Sequence, residues 1–232
     1  MALYSELSMT GILTYTWGSM MEHYKKIDYR TAVDFLLPRH YSGRVPVISY
    51  AYGLYNGDEL MAVCTFGTPA TPALCKGIAG EEYRKKILEL NRLCRVDEYD
   101  GQLSRFVSWC LKQLKPLNVI VVSYSDTDMN HHGYIYQACN FLYTGMTKRR
   151  TDKYTEGNKH SRHYDNSKQN GLRKVRSAKH RYIYLCGDKR AKRDMLAHLR
   201  YPIIKDYPKG DNSNYKLGEY LKPKIIKRGD VI

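Results

Sequence analysis

Between residues 88 and 147 the chain switches its hydrophobic period repeatedly, and that alternation restricts the folds open to it more than any other feature. The stretch Asn118–Asp126 (NVIVVSYSD) is β-branched and apolar on successive positions, as a strand covered on both faces must be. Before it, Ser104–Leu114 (SRFVSWCLKQL) spaces its apolar residues for a helix, with Ser104 as the expected N-cap and Pro116 as the expected stop. After it, Gly133–Cys139 (GYIYQAC) reads as a short helix and FLYTGMT as a further strand. Tyr83–Val96 (YRKKILELNRLCRV) fits helix or strand, and its second half is better read as a strand. The resulting order, strand–helix–strand–helix–strand, predicts an α/β fold with helices packed on a sheet.

Upstream, Ile27–Leu37 has helical spacing and should end at Pro38. VISYAYGLYNGDELMAVCTFG reads as a β-hairpin around Asn56-Gly57-Asp58, with Thr68–Ala73 a Pro-containing loop. Downstream, Arg149–Lys179 is polar and basic without an apolar period, which predicts a mobile loop or an extended hairpin tip. RYIYLCG is a last strand, RAKRDMLAHL a basic helix, and the tail beyond Tyr201 is expected to be loosely ordered. A chain of 232 residues supports one core and a small extra lobe.

No apolar run approaches the ~20 residues of a membrane span. The N-terminal segment lacks the basic, apolar and small-residue regions of a signal peptide, so a soluble cytoplasmic protein is expected. The six cysteines, at 64, 75, 94, 110, 139 and 186, include no C-x-x-C pair, which argues for reduced buried thiols over zinc or disulfides. Charge is segregated. Residues 1–147 hold 14 Lys/Arg and 14 Asp/Glu, whereas 148–232 hold 24 and 9, so the second part carries the whole net charge of +15. This suggests a neutral core over 1–147, and over 148–232 a basic insertion, a last core strand and a basic C-terminal extension. A polyanion, most simply nucleic acid, should meet that second part. Candidate phosphate contacts are Lys148, Arg149, Arg150, Arg173, Lys174, Arg176, Lys189, Arg190, Lys192 and Arg193.

The segment Ile135–Phe141 (IYQACNF) resembles the L-Y-x-x-x-G-F element of GNAT acetyltransferases, where a helix turns into a strand. Asn140 stands where Gly is usual and tolerates the left-handed conformation such a turn wants. In that superfamily the Tyr of this element protonates the departing thiolate of coenzyme A, and the resemblance implies the same role for Tyr136. The pyrophosphate loop of the superfamily is not evident. In its place stands RLCRVDEYDGQLS, with Gly101 alone among glycines and with Asp97, Glu98 and Asp100 opposing an anion.

A closer resemblance is carried by an ordered set of blocks: His40–Gly43 (HYSG), Phe66–Pro69 (FGTP), Glu89–Leu93 (ELNRL), Ser104, Ser123–Asp126 (SYSD) and His132–Ala138 (HGYIYQA). In order and spacing this set resembles the Mom family of phage DNA-modification proteins. It covers roughly residues 30–147 and the later R-Y-I-Y-L strand. The resemblance implies a GNAT-like mixed sheet flanked by helices, double-stranded DNA as partner and a small-molecule donor. It further implies transfer of a carbamoylmethyl group to the exocyclic amine of adenine, which shields phage DNA from host restriction.

The same residues can be read chemically. A weakly nucleophilic aromatic amine must lose a proton as it attacks, which suits Asp126, at the end of a buried strand, as base or amine acceptor. An Asp capping the next helix would look alike. His40 could shuttle protons and Tyr41 could stack an extruded base; packing is the better explanation of an isolated His-Tyr, and the family resemblance is what raises the functional reading. Tyr124, Glu89, Arg92, Ser104 and Ser123 complete the catalytic candidates. Glu89 and Arg92, three apart, face opposite sides of a strand but would pair on a helix. Arg92 could bind a carboxylate or phosphate of the donor, with Gly101 and Ser104 as further donor contacts. The donor is expected to be of acyl-CoA type. His40, Asp126 and His132 could form a two-His-one-carboxylate set for iron if they converge. Two other readings stay open: a GNAT acetyltransferase acting on a protein or small amine, and a non-enzymatic nucleic-acid binder.

Overall fold

A computed structural model describes residues 6–7, 13–14, 22–155, 165, 167, 171–211 and 224–230. Seven strands form its main sheet: β1 (Glu22–Lys26), β2 (Tyr50–Asn56), β3 (Glu59–Gly67), β4 (Ile87–Arg95), β5 (Val119–Asp126), β6 (Leu142–Met146) and β9 (Lys179–Cys186). Their spatial order is β1-β2-β3-β4-β5-β9-β6, antiparallel throughout except for the parallel pair β4–β5. A small second sheet holds β7 (Arg150–Lys153), β8 (Leu172–Arg176) and β10 (Ile225–Lys227), in the order β10-β8-β7. The α/β expectation is met. The last core strand, β9, comes from the basic part of the chain and inserts between β5 and β6.

Helices cover both faces of the main sheet. On one face lie α3 (Leu103–Leu114) and α4 (Tyr134–Ala138), whose Phe106, Cys110 and Leu114 pack with Phe141, Val121 and Tyr182. On the other lie α1 (Tyr29–Arg39), α2 (Pro72–Ala79) and α5 (Lys189–His198), over Val63, Ile120, Val122 and Ile183. β5 therefore buries Ile120, Val121 and Val122 at 0% exposure, which is why it reads as an unbroken apolar run. The hairpin turns at Gly57 with φ 60°. All six cysteines are free and buried.

Several expectations needed correction. α1 runs through Pro38 to Arg39, because a proline ring obstructs only the carbonyl four residues back and its cost falls where the helix is ending anyway; His40 N–H then closes on Leu36 O at 2.8 Å. Part of the expected loop Thr68–Ala73 is a helix start: Thr71 caps α2 and Pro72 occupies its first turn. Ser104 lies inside α3, whose N-cap is Gln102, and a short 3-10 turn over Lys115–Leu117 carries the chain past Pro116. The described parts of Arg149–Lys179 include the paired strands β7 and β8, the hairpin alternative; residues 156–164, 166 and 168–170 of that stretch lie outside the described residues. The tail beyond Tyr201 is docked over 202–211, where Tyr207 Oη donates to Phe141 O at 2.7 Å and Ile204 N–H to Tyr143 O at 2.8 Å.

One irregularity shapes the site. Across β3 and β4, Thr65 faces Arg92 and Phe66 faces Leu90, so Asn91 is an unopposed bulge residue. Its side chain is held on both ends, accepting from Thr65 Oγ1 at 2.7 Å and donating to Val47 O at 2.7 Å. The extra residue resets the alternation. Glu89 and Arg92 thus share a face, where strict alternation had put them on opposite sides.

Candidate active site

Parallel pairing of β4 with β5 ends at Leu90–Ser123, immediately before the bulge, and the two strands continue without pairing each other. Ser123 Oγ closes the junction by donating to Leu90 O at 3.0 Å. A cavity of about 1620 Å³ occupies the region beyond, lined by both strand ends, the loop after α1, the α4 region and the small sheet. Its lining includes His40, Tyr41, Glu89, Arg92, Tyr124, Asp126 and Tyr136, so residues from four separate sequence blocks meet there.

Asp126 ends β5, 8% exposed. One carboxylate oxygen caps the following turn by accepting from Asp128 N–H at 3.1 Å; the other lies 2.5 Å from Lys179 Nζ. Both readings of this residue hold at once. Lys179 is opposite Asp126 in the β5–β9 register, which fixes the pair. Burial alone would raise the carboxyl's pKa, but the Lys179 ammonium together with hydrogen bonds from Ser177 and Asp128 N–H outweighs it, leaving Asp126 below the ordinary value and ionised at neutral pH.

His40 is 7% exposed and stacks on Tyr41 with ring centroids 4.4 Å apart. Its Nδ1 accepts from Ser42 N–H at 3.1 Å, which places the ring proton on Nε2. Burial, reinforced by Arg92 and Lys179, pushes its pKa down to about 3. The ring is therefore a neutral hydrogen-bond donor through Nε2, and serving as a base would cost it the Ser42 bond. Tyr41 is driven up to about 12 by burial and then by Asp126, so its phenol stays protonated. Tyr136 lies on α4, and burial raises its pKa strongly, partly offset by the nearby Ser123 hydroxyl. Tyr124 is raised by burial and by Glu89. Glu89 is raised by burial against the opposing charges of Arg92 and Lys179. The arrangement offers the ionised Asp126 carboxylate, the neutral His40 imidazole N–H and several protonated phenols around a common space.

α4 is positioned by its ends. Gly133 starts it at φ 76°, and a Cβ there would meet Tyr182 Cε2 at 2.5 Å. Asn140 takes the left-handed conformation (φ 59°) that returns the chain to β6, as the sequence indicated. Gln137 Nε2 reaches His132 O at 2.9 Å and Pro208 O at 3.0 Å, tying the helix to the docked tail.

The iron set does not form. Among the described residues no three His, Cys, Asp or Glu side chains stand where they could hold a metal ion. His132 turns away from His40 and Asp126 and packs against His180, centroids 5.9 Å apart, while its neighbour His131 approaches Tyr41.

The donor-binding candidates separate. Arg92 lines the cavity, with Nη1 2.6 Å from Asn91 O and Nη2 3.3 Å from Arg44 O, so it also anchors the loop after α1. Gly101 and Ser104 fall outside the lining. At Gly101 a Cβ would stand 2.3 Å from Tyr99 Oη, and the residue serves that close approach. Arg95 Nη1 donates to Val96 O at 3.0 Å, to Asp97 O at 2.9 Å and to Tyr99 O. The loop thus gathers its carbonyls around a cation and carries Asp97, Glu98 and Asp100, an arrangement that does not fit a pyrophosphate.

The basic candidates fall into two groups. Lys148, Arg150, Lys174 and Arg176 line the cavity; Arg149 pairs with Asp128 at 2.6 Å, and Arg173 donates to Thr151. Lys189, Lys192 and Arg193 border a separate depression with Lys112 and Lys115, and Arg190 is exposed beside them on α5. That depression adjoins the opposite end of β9, about 23 Å away along the strands at ~3.3 Å per residue.

Comparison with known proteins decides the family. The model of the Mom protein family matches residues 21–209. The chain belongs to the Mom family. The methylcarbamoylase Mom of Escherichia phage Mu is 28% identical over 134 residues, 56% of each chain, so the present chain spans about half the length of that curated Mom relative. Similar solved structures include an N-acetyltransferase from Staphylococcus aureus (TM-score 0.45, 11% identity, 72% of this chain and 98% of that one). Another is a Bacillus subtilis acetyltransferase in complex with CoA (TM-score 0.40, 15% identity, 71% and 99%). These likenesses concern the arrangement of sheet and helices and say nothing of the substrate of this Mom-family chain. No helix among its described residues is long and apolar enough to cross a membrane.

Sequence reasoning missed Lys179, His131, Arg44 and the part played by Asn91. Lys179 had no local signal, since its importance comes from a register 53 residues away in sequence from Asp126. The run E-L-N-R-L hinted at Asn91, a polar residue breaking an apolar alternation.

Proposed function

We propose that this chain is a transferase that adds a carbamoylmethyl group to the exocyclic amine of adenine in double-stranded DNA, protecting phage DNA from restriction. The observation that carries the reading is the meeting of Asp126, His40, Tyr41 and Tyr136 around one cavity whose outer wall is cationic. Family membership supports it, as does the name of the phage Mu relative.

The extruded base enters between the strand ends, and Tyr41 offers it a stacking face. Asp126, ionised, accepts a hydrogen bond from the adenine amine. The amine nitrogen attacks the donor's methylene carbon, the N–C bond forms, and the bond to the leaving group breaks with its electron pair. The nitrogen's proton becomes acidic as that bond forms, so a carboxylate of low basicity suffices to take it. Tyr136 gives its phenolic proton to the leaving group, and His40 Nε2–H donates to the carboxamide oxygen. The donor is a small molecule carrying an activated acetamide carbon. Because the Asp97–Gly101 loop is folded around Arg95, no step is routed through a coenzyme pyrophosphate.

Mass spectrometry of nucleosides from DNA of cells expressing the chain tests this. The expected result is a heavier deoxyadenosine that disappears with Asp126→Ala. Unmodified DNA under full expression overturns the reading and leaves protein acetylation or passive nucleic-acid binding.

A further inference from the structure

We infer that Arg44, Lys174 and Arg176 form a phosphate-binding site at the outer wall of the cavity, which takes the phosphodiester of the DNA strand whose base enters. The inference rests on DNA being the substrate and adds which charges hold it.

The register of the small sheet sorts its cations. Lys174 faces Asp152 and Arg176 faces Arg150, and directly opposed residues share a face. That face therefore carries three cations and one carboxylate, Asp152, which lies 3.7 Å from Arg176. Arg173 is on the reverse face, where its guanidinium is committed to Thr151 Oγ1 at 2.6 Å and Thr151 O at 2.8 Å. So the contiguous basic run is not one patch, and Arg173 within it is structural.

Arg44 arrives from a different element, the loop after α1, yet lines the same cavity as Lys174 and Arg176. Burial, then Arg44 and Arg176, lower the pKa of Lys174, and burial followed by Arg176 lowers that of Arg44. The three cations repel one another, and Asp152, 3.7 Å from Arg176, offsets only part of their charge, so an anion bound among them is favoured. Two guanidinium forks and one ammonium suit the two non-bridging oxygens of a phosphodiester. The placement also suits an extruded nucleotide, whose base goes inward while its phosphate stays at the mouth. Arg92 ties the layers together, since it lines the inner cavity and holds the carbonyl of Arg44.

The test measures affinity for a fluorescent duplex between 50 and 200 mM salt, for wild type, Arg44→Gln and Lys174→Gln/Arg176→Gln. Loss of this one phosphate contact should lower the slope of log affinity against log salt by about 0.9. The double variant should thus lose most of that amount and Arg44→Gln a smaller part of it, and Arg44→Lys should recover most of the loss. Circular dichroism melts establish that each variant is folded. Should the double variant melt early, Arg44→Gln and Arg44→Lys carry the test alone. Unchanged slopes in folded variants, with wild type binding DNA, overturn the phosphate site and leave the substrate reading intact. A wild-type chain without affinity for duplex overturns both. Weakened binding of coenzyme A, with the DNA slope unchanged, would assign these cations to the donor and overturn the inference.

Discussion

Lys179 and Asp126 face each other across β9 and β5, and the Lys179 ammonium stands 2.5 Å from Asp126 Oδ2 at the edge of the cavity. The same charge also acts, behind burial and Arg92, on His40 and Glu89, so one lysine is felt by three site groups.

Removing that charge should therefore move the pH dependence of the reaction. Asp126 must be ionised to accept a proton, and its pKa is held below the ordinary value in the folded chain. Any stability the pair contributes is present above the ordinary aspartate range and is lost as pH falls through the lower folded value. In Lys179→Met the carboxyl rises, so the acid limb of the rate profile moves to higher pH. Lys179→Arg restores it. Rate–pH profiles for the three proteins check this, and a Met variant with an unshifted acid limb would refute it.

Substituting the acid–base groups should lower the rate without unfolding the chain. Asp126→Asn and Tyr136→Phe are each expected to slow modification about 10²- to 10⁴-fold. Their melting temperatures should stay within a few degrees of wild type, because both replacements keep the shape of the side chain. The readout is initial rate on a defined duplex alongside a thermal melt.

His40 predicts acid sensitivity of the fold. Its pKa is about 3 when folded, against about 6.5 when unfolded, so the unfolded chain binds the extra proton between those values. Stability should fall as pH drops from about 6.5 toward 3, by an amount on the order of 3–5 kcal/mol from this group alone. His40→Gln should flatten that part of the curve. Urea denaturation at a series of pH values measures the slope, and equal slopes for the two proteins would contradict the assignment.

Gly67 guards the loop that carries His40 and Tyr41. A Cβ on it would stand 1.8 Å from Val47 O, the carbonyl that Asn91 also holds. Gly67→Ala has no flexible side chain to displace, so the loop must move. The expected cost is roughly 1–3 kcal/mol, with a drop of several degrees in Tm and a large loss of activity. A variant with full activity would show that the loop's position is not needed.

Asn140 separates backbone from side-chain effects at the end of α4. Its φ of 59° suits glycine, so Asn140→Gly should keep or raise stability while Asn140→Ala loses about 1 kcal/mol. Denaturant midpoints for the two variants should differ in that sense.

The sequence by itself determined the elements whose signal is local. β5 announced itself because covering both faces demands an unbroken apolar run, α3 because a one-sided helix must repeat its apolar residues, and Asn140 because few residues accept a positive φ. The segregation of charge was equally legible, since it needs no coordinates. What only the tertiary structure decided were relations between distant segments. Strict alternation misplaced Glu89 and Arg92 because a bulge is created by pairing with β3, which β4 alone cannot express. The partnership of Lys179 with Asp126 arises from strand register, and the separation of Arg173 from Lys174 and Arg176 from the alternation of β8 against β7. The proposed iron set failed for the same reason: residues close in sequence, His131 and His132, point to different sides of a turn whose direction is set by Tyr182, Gln137 and the docked tail. Side-chain chemistry is written along the chain, but proximity is a property of the packed sheet.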